Sequence, residues 1–313
     1  MSYLNVTAVT EIFLLGFQDF YDVKTFFFFM LLINYCLTLC GNLLIIQVVS
    51  YNKTLHSPMY FFITQLSITD ILLSTSIIPN TLNVVIYEGC TMPFTGCLAQ
   101  FYFYTAVGIL ECLLLTVMAF DRYQAICHPL TYNSIMTFPF CRNSILLFWL
   151  TALIIVSMFA ITMSQLQFCG PNVIDHFFCD FYPILDLSCT DTFLIQVESM
   201  VLVIPIVICP NIIITVSYVY IVSAILKISS TTGRQKTFST CSSHLLVVFI
   251  YYVSLMNIYL FPNKESAKKV LSLMYTLLIP LLNPIIYSLR NNDIKQAFRK
   301  LICKNYQTIF KYA

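Results

Sequence analysis

Seven stretches of this chain are apolar over a length that matches a lipid bilayer, and that leaves few folds open to it. A transmembrane helix needs roughly 20 mostly apolar residues. Windows that meet this run from Phe26 to Ser50, Pro58 to Tyr87, Gly89 to Phe120, Asn143 to Ile174, Ser199 to Leu226, Thr237 to Asn263 and Val270 to Leu289. Only 10% of the residues are charged, against about 25% in a soluble domain, so lipid must solvate most of the surface. The windows are too long for barrel strands and lack their alternation of apolar and polar residues. The chain is therefore expected to be an all-α membrane protein. Its fold is a seven-transmembrane helix bundle with a short amphipathic C-terminal helix.

Lys and Arg in short loops set the orientation of such a bundle. Of the 16 Lys and Arg, only Lys24, Lys264, Lys268 and Lys269 fall on the outer side when the N-terminus is outside. The plan is then an extracellular N-terminus (1–23), a seven-helix bundle (24–290) and a cytoplasmic tail (291–313) in the plasma membrane. In the tail, Ile294, Ala297, Phe298 and Leu301 share one helical face flanked by Lys295, Arg299 and Lys300. That pattern suits a helix lying on the inner lipid surface, with Cys303 beside it as a palmitoylation candidate. The first residues lack the basic region and cleavage site of a secretory signal. Asn5-Val6-Thr7 is a glycosylation sequon facing the lumen. A net charge of +2 without a run of five like charges gives no footprint for nucleic acid.

Two acids interrupt the apolar windows, Asp70 in the second and Glu111 in the third. Neither window holds a Lys or Arg to neutralise them, so they are either protonated within a polar core or hold a cation. Asn42 and Asn283 are their expected neighbours. An ion-coupled transporter would want a polar path or paired broken helices, and the chain has one acidic pair and no internal repeat. A membrane enzyme would want a nucleophile with its base, or metal ligands. There is no HExxH, GxSxG or phosphate loop, and Cys241 with His244 lacks an orienting acid or an oxyanion device. Thirteen cysteines divide by position. Cys36, Cys40, Cys112, Cys209 and Cys241 are read as small buried apolar residues, while Cys127, Cys141 and Cys303 face the reducing cytoplasm. Five lie outside (Cys90, Cys97, Cys169, Cys179 and Cys189), and spacing leaves their connectivity open.

Several strings carry a resemblance. They are MAFDRYQAICHPLTY (Met118 to Tyr132), LHSPMYFFITQLS (Leu55 to Ser67), FCGPNVIDHFFCDFYPILDLSC (Phe168 to Cys189), KTFSTCSSHL (Lys236 to Leu245) and PLLNPIIYSLRN (Pro280 to Asn291). Together with Gly41-Asn42 and Ser217-Tyr218, they resemble the tetrapod-type branch of the olfactory receptors, which are rhodopsin-like G-protein-coupled receptors. The middle of the sixth window departs from that family, with Tyr251-Tyr252-Val253-Ser254 where Phe-Tyr-Gly-Thr is usual.

The resemblance implies disulfides Cys97–Cys179 and Cys169–Cys189, with Cys90 left over. It implies a sodium ion near Asp70, Glu111, Asn42 and Asn283, and otherwise no cofactor. It makes Asp121, Arg122 and Tyr123 a switch, with Arg122 paired to Asp121 at rest and released to a G protein. Tyr218, Asn283, Pro284 and Tyr287 complete that machinery. The expected partners are a volatile odorant, a stimulatory G protein of the olfactory type that raises cAMP, and membrane lipid. Helical spacing places Phe101, Tyr104, Thr105, Gly108 and Ile109 around an outer pocket, faced by Leu202, Val203 and Ile206. Tyr252, Leu255, Met256 and Tyr259 are expected from the sixth helix, and Ser272 and Thr276 from the seventh. No charged side chain is expected there, and Tyr104 stands where amine receptors of the superfamily carry an Asp. The ligand is accordingly expected to be small and neutral, such as an alcohol, aldehyde, ketone or ester.

Overall fold

A computed structural model describes residues 9–17, 23–169, 172–227, 230–259 and 265–301. Seven long helices form the bundle: α1 (Lys24–Tyr51), α2 (Pro58–Tyr87), α3 (Phe94–Cys127), α4 (Phe138–Ser164), α5 (Phe193–Leu226), α6 (Thr231–Tyr259) and α7 (Glu265–Arg290). Six contain an apolar stretch of spanning length, and α6 contributes a shorter one, Cys241–Met256. An amphipathic helix, α8, follows over 292–301. Ile294 and Ala297 of α8 are buried against the bundle, with Phe298 and Leu301 half-buried beside them. Asn5, Cys303 and the side chain of Tyr259 lie outside the described residues.

Helix boundaries follow local chemistry. Thr137 caps α4, its hydroxyl accepting from Phe140 N at 3.4 Å with Pro139 in the first turn. The helix stops at Ser164, well before the end of the apolar window at Ile174, because a disulfide-tied loop begins there. In α5, Pro205 supplies no N–H and the turn widens into a π segment, Ile204–Ile208. Pro284 in α7 likewise cannot bond the carbonyl four residues back, at Pro280. Asn42 of α1 takes that carbonyl instead, Nδ2 donating at 3.0 Å. Gly41 makes the approach possible, since a Cβ there would lie 3.0 Å from the Pro284 ring.

The central helix is α3, with 67% of its apolar window buried against 11% for α5. Lipid-facing apolar side chains such as Leu147, Ile154, Ile161 and Val219 take up the outer faces. Three cysteines expected to be buried are also there: Cys36, Cys40 and Cys209 point outward, and only Cys112 and Cys241 of that group are interior. An apolar solvent makes the outward position as comfortable as a core.

The outer end carries a feature with no counterpart in the sequence reading. Residues Glu11–Leu14 (β1) pair antiparallel with Cys90–Pro93 (β2) and parallel with Val173–Ile174 (β3). Ile12 and Leu14 are fully buried beneath this three-stranded cap. Gly89, at φ 128°, gives the Phe13 ring a place that no side chain would leave free.

Candidate functional site: an outer cavity, an acid pair and an inner ion pair

Three polar or hollow regions lie along α3. The outermost is a partly open cavity of about 170 Å³ lined by α3, α4, α5, α6, α7 and the loop between α4 and α5. It takes in nine of the residues expected from spacing: Phe101, Tyr104, Thr105, Gly108 and Ile109 of α3, Leu202, Val203 and Ile206 of α5, and Leu255 of α6.

The structure puts the other described ones elsewhere. Tyr252 and Met256 line a lipid-side groove between α5 and α6, and Tyr251 meets the cavity in their stead. A turn of one residue on α6 accounts for the exchange. Ser272 and Thr276 are buried on α7, the Thr276 hydroxyl donating to the Ser272 carbonyl at 2.9 Å. Tyr275 between them reaches the cavity. Its floor is knit by the Tyr251 hydroxyl, which donates to the Gly108 carbonyl at 3.0 Å and lies 3.2 Å from Cys112 Sγ.

The loop supplies what helical periodicity could not reveal. A disulfide ties Cys179 to Cys97 at the top of α3, and a second joins Cys169 to Cys189. The Cys179 N–H donates to Gln100 Oε1 at 3.0 Å. These bonds hold Asp180, Phe181 and Tyr182 in the cavity wall, so a carboxylate does line it, contrary to the expectation of no charge. Asp180 is 8% exposed, and its Oδ1 accepts from Phe181 N at 2.8 Å, capping the short helix Phe181–Leu185. Burial pushes this carboxyl up to about 6, against the pull of the Phe181 N–H. Burial, and then the charge of Asp180, raises the Tyr182 phenol. Behind the wall, burial and the Lys269 ammonium hold His176 down at about 3, so its ring is neutral and stacks on Phe177. Lys269 pairs with Asp175, joining α7 to the loop.

Midway along the bundle, Asn283 Nδ2 donates to both oxygens of Asp70, at 2.9 and 3.1 Å. Glu111 lies near enough to repel a charge on Asp70, with Tyr275 alongside. Both Glu111 oxygens and Asn42 Oδ1 are buried without a hydrogen-bond partner. Unpartnered buried oxygens are uncommon in native proteins. Hard oxygen donors without protein partners match what a small alkali cation requires, so the residues present fit the sodium ion expected there. Among the described residues no cluster of three or more His, Cys, Asp or Glu exists for a transition metal.

At the inner end, Arg122 Nε donates to Asp121 Oδ2 at 2.8 Å, and its Nη2 reaches the same oxygen. Asp121 Oδ1 accepts from the Tyr132 hydroxyl at 2.8 Å. Burial and the Asp121 carboxylate keep that phenol protonated, far above its ordinary range. Tyr123 Oη lies 3.0 Å from His128 Nε2. Tyr218 does not engage Arg122 in this arrangement: its hydroxyl lies 2.6 Å from His244 Nδ1. The Tyr287 hydroxyl is buried and unpartnered.

Comparison with known proteins bears on what this geometry serves. The sequence profile described as olfactory receptor matches residues 29–305. Human olfactory receptor 11L1 is 42% identical over 302 residues, covering 95% of this chain and 94% of its own. Human olfactory receptor 13A1 is 44% identical over 301 residues, 95% of this chain and 92% of its own. Rat olfactory receptor 1496 is 40% identical over 302 residues, 96% of this chain and 97% of its own.

Proposed function

Since the chain belongs to the olfactory receptor family, a family of receptors and not of enzymes, we propose how this odorant-sensing G-protein-coupled receptor recognises its ligand and signals. The ligand is a small volatile with a largely apolar, neutral body and one polar group, held in the outer cavity. A single observation carries this reading: a partly open cavity of about 170 Å³, walled by Phe101, Ile109, Leu202, Ile206 and Leu255, with only a few polar groups converging on it. A cavity of about 150 Å³ suffices for a benzene-sized guest.

Signalling is a two-state equilibrium that the ligand biases by differential affinity. At rest Asp121, itself held by the Tyr132 hydroxyl, holds Arg122. In the active state Arg122 leaves that pair for a stimulatory olfactory-type G protein, and cAMP rises. Tyr218 and Tyr287 turn toward Arg122, as the unpartnered Tyr287 hydroxyl favours. The kink at Pro284 and its bond to Asn42 give α7 a place to bend. A sodium ion held by Asp70, Glu111 and Asn42 would neutralise the acid pair in the resting bundle. The N-terminus lies outside and the C-terminus in the cytoplasm, in keeping with the bias of Lys and Arg toward the inner loops. Asn5 is the proposed glycosylation site.

The test is a cAMP reporter in cells expressing the full chain and the olfactory G protein, screened with volatile alcohols, aldehydes, ketones, esters and amines. Arg122→Ala should erase every response while surface expression stays near that of the unaltered receptor. A response that survives the substitution would remove Arg122 from the switch.

A further inference from the structure

Among the described residues, Asp180 is the one acidic side chain in the cavity wall, and neither ligand packing nor the Arg122 switch uses it. Its position is fixed from both sides. Cys179 before it is bonded to Cys97, and Phe181 after it packs on Phe101 and Phe159. One carboxylate oxygen is occupied by the Phe181 N–H; the other makes no hydrogen bond to any described residue. The ion pairs among the described residues join Lys24 to Glu88, Arg122 to Asp121 and Lys269 to Asp175. None supplies a cation to Asp180. The second oxygen is open to the cavity. A carboxylate nine-tenths buried among aromatic rings has lost much of its hydration, and a guest that donates a hydrogen bond to that oxygen restores a partner.

We propose that Asp180 is the polar anchor of the cavity and that the ligand's polar group is a hydrogen-bond donor, a primary amine before an alcohol and both before a carbonyl. The amine, protonated in water, meets a carboxylate at the roof while its carbon chain runs down toward Gly108. Tyr104 in the amine-receptor position of α3 does not exclude this, because the counter-ion comes from the disulfide-tied loop. A site built around a polar group rejects ligands that leave it unpaired far more strongly than an apolar wall rejects a wrong shape. The inference rests on the outer cavity being the ligand site, and it does not depend on the coupling proposed for Arg122.

The experiment measures binding directly, as the ligand-dependent rise in melting temperature of the full-length receptor in lipid nanodiscs. Hexylamine, hexan-1-ol and hexanal serve as probes of one length. Hexylamine should saturate at the lowest concentration and hexanal at the highest. Asp180→Asn keeps the size of the side chain and its capping role. It should raise the half-saturating concentration of hexylamine about tenfold or more, as expected for loss of a charge-assisted hydrogen bond, and leave hexanal within about twofold. Asp180→Ser, also a helix cap, repeats the test if the Asn variant is poorly folded. Hexanal binding the unaltered receptor as tightly as hexylamine would overturn the proposal, as would an equal shift for all three probes or binding of none. Binding that follows the expected order without a cAMP response sinks the coupling above and upholds Asp180.

Discussion

The inner end of α3 and the middle of the bundle each hold acids out of water, and they handle them in opposite ways. At the inner end Asp121 has a cation on one oxygen and a phenol on the other, at 2.8 Å each. In the middle, Asp70 receives an amide while Glu111 has only the Tyr275 phenol alongside, and Asn42 leaves its oxygen idle. The first cluster is complete within the chain, so it can act as a latch that breaks only when something better competes for Arg122. The second is incomplete and calls for a guest or a proton. A charge cluster that satisfies itself stores a state; one that does not satisfy itself reports on what fills it.

The largest effect should come from breaking the latch without touching Arg122. Removing one partner of a buried ion pair costs on the order of 3–5 kcal/mol, and Asp121→Asn retains an amide for Tyr132, so the low end applies. Even about 3 kcal/mol moves a two-state equilibrium by more than a hundredfold. Asp121→Asn should therefore raise ligand-free cAMP several-fold at matched surface expression; unchanged basal signalling would mean that the pair does not hold the resting state. The middle cluster should respond more gently. If sodium fills it, replacing sodium with N-methylglucamine should lower the melting temperature of the purified receptor by a few degrees. At about ten times the dissociation constant, a bound ligand contributes about 1.4 kcal/mol. Glu111→Gln should be indifferent to the exchange. Equal sodium sensitivity in the two proteins would take Glu111 out of the site and erase the contrast between the clusters.

The sequence told these regions apart to different degrees, for physical reasons. The Asp121–Arg122 ion pair was legible because the two residues are adjacent, so no long-range geometry intervenes, whereas the role proposed for it came with the family resemblance. Asp70 and Glu111 stood out because an ionisable residue in a hydrocarbon-length window is conspicuous whatever surrounds it. Spacing on α3 and α5 selected cavity residues correctly, since each helix presents one side to the bundle. The cap was invisible: its strands are at most four residues long and their partners lie far apart in the chain. Asp180 was missed because a loop has no period from which to read a direction. The outward Cys36, Cys40 and Cys209 were misjudged because lipid rewards the same residues as a core does.

The helix hardest to read was α6, where Tyr251 and Tyr252 are neighbours of the same type in a segment apolar all round. Hydrophobic periodicity cannot choose between them; hydrogen bonding can. The Tyr251 hydroxyl is bonded to the Gly108 carbonyl and lies against Cys112, whereas the Tyr252 hydroxyl is buried with no partner. Tyr251→Phe should therefore cost about 1 kcal/mol, the net worth of an ordinary hydrogen bond, and weaken ligand potency up to about fivefold as the cavity floor loosens. Tyr252→Phe removes a group that gains nothing from burial, so it should leave potency unchanged and stability unchanged or slightly higher. The comparison requires only dose–response curves and melting temperatures for two receptors that each lack one oxygen atom. A reversed pattern, with potency lost in Tyr252→Phe and kept in Tyr251→Phe, would rotate α6 by one residue and return Tyr252 and Met256 to the cavity.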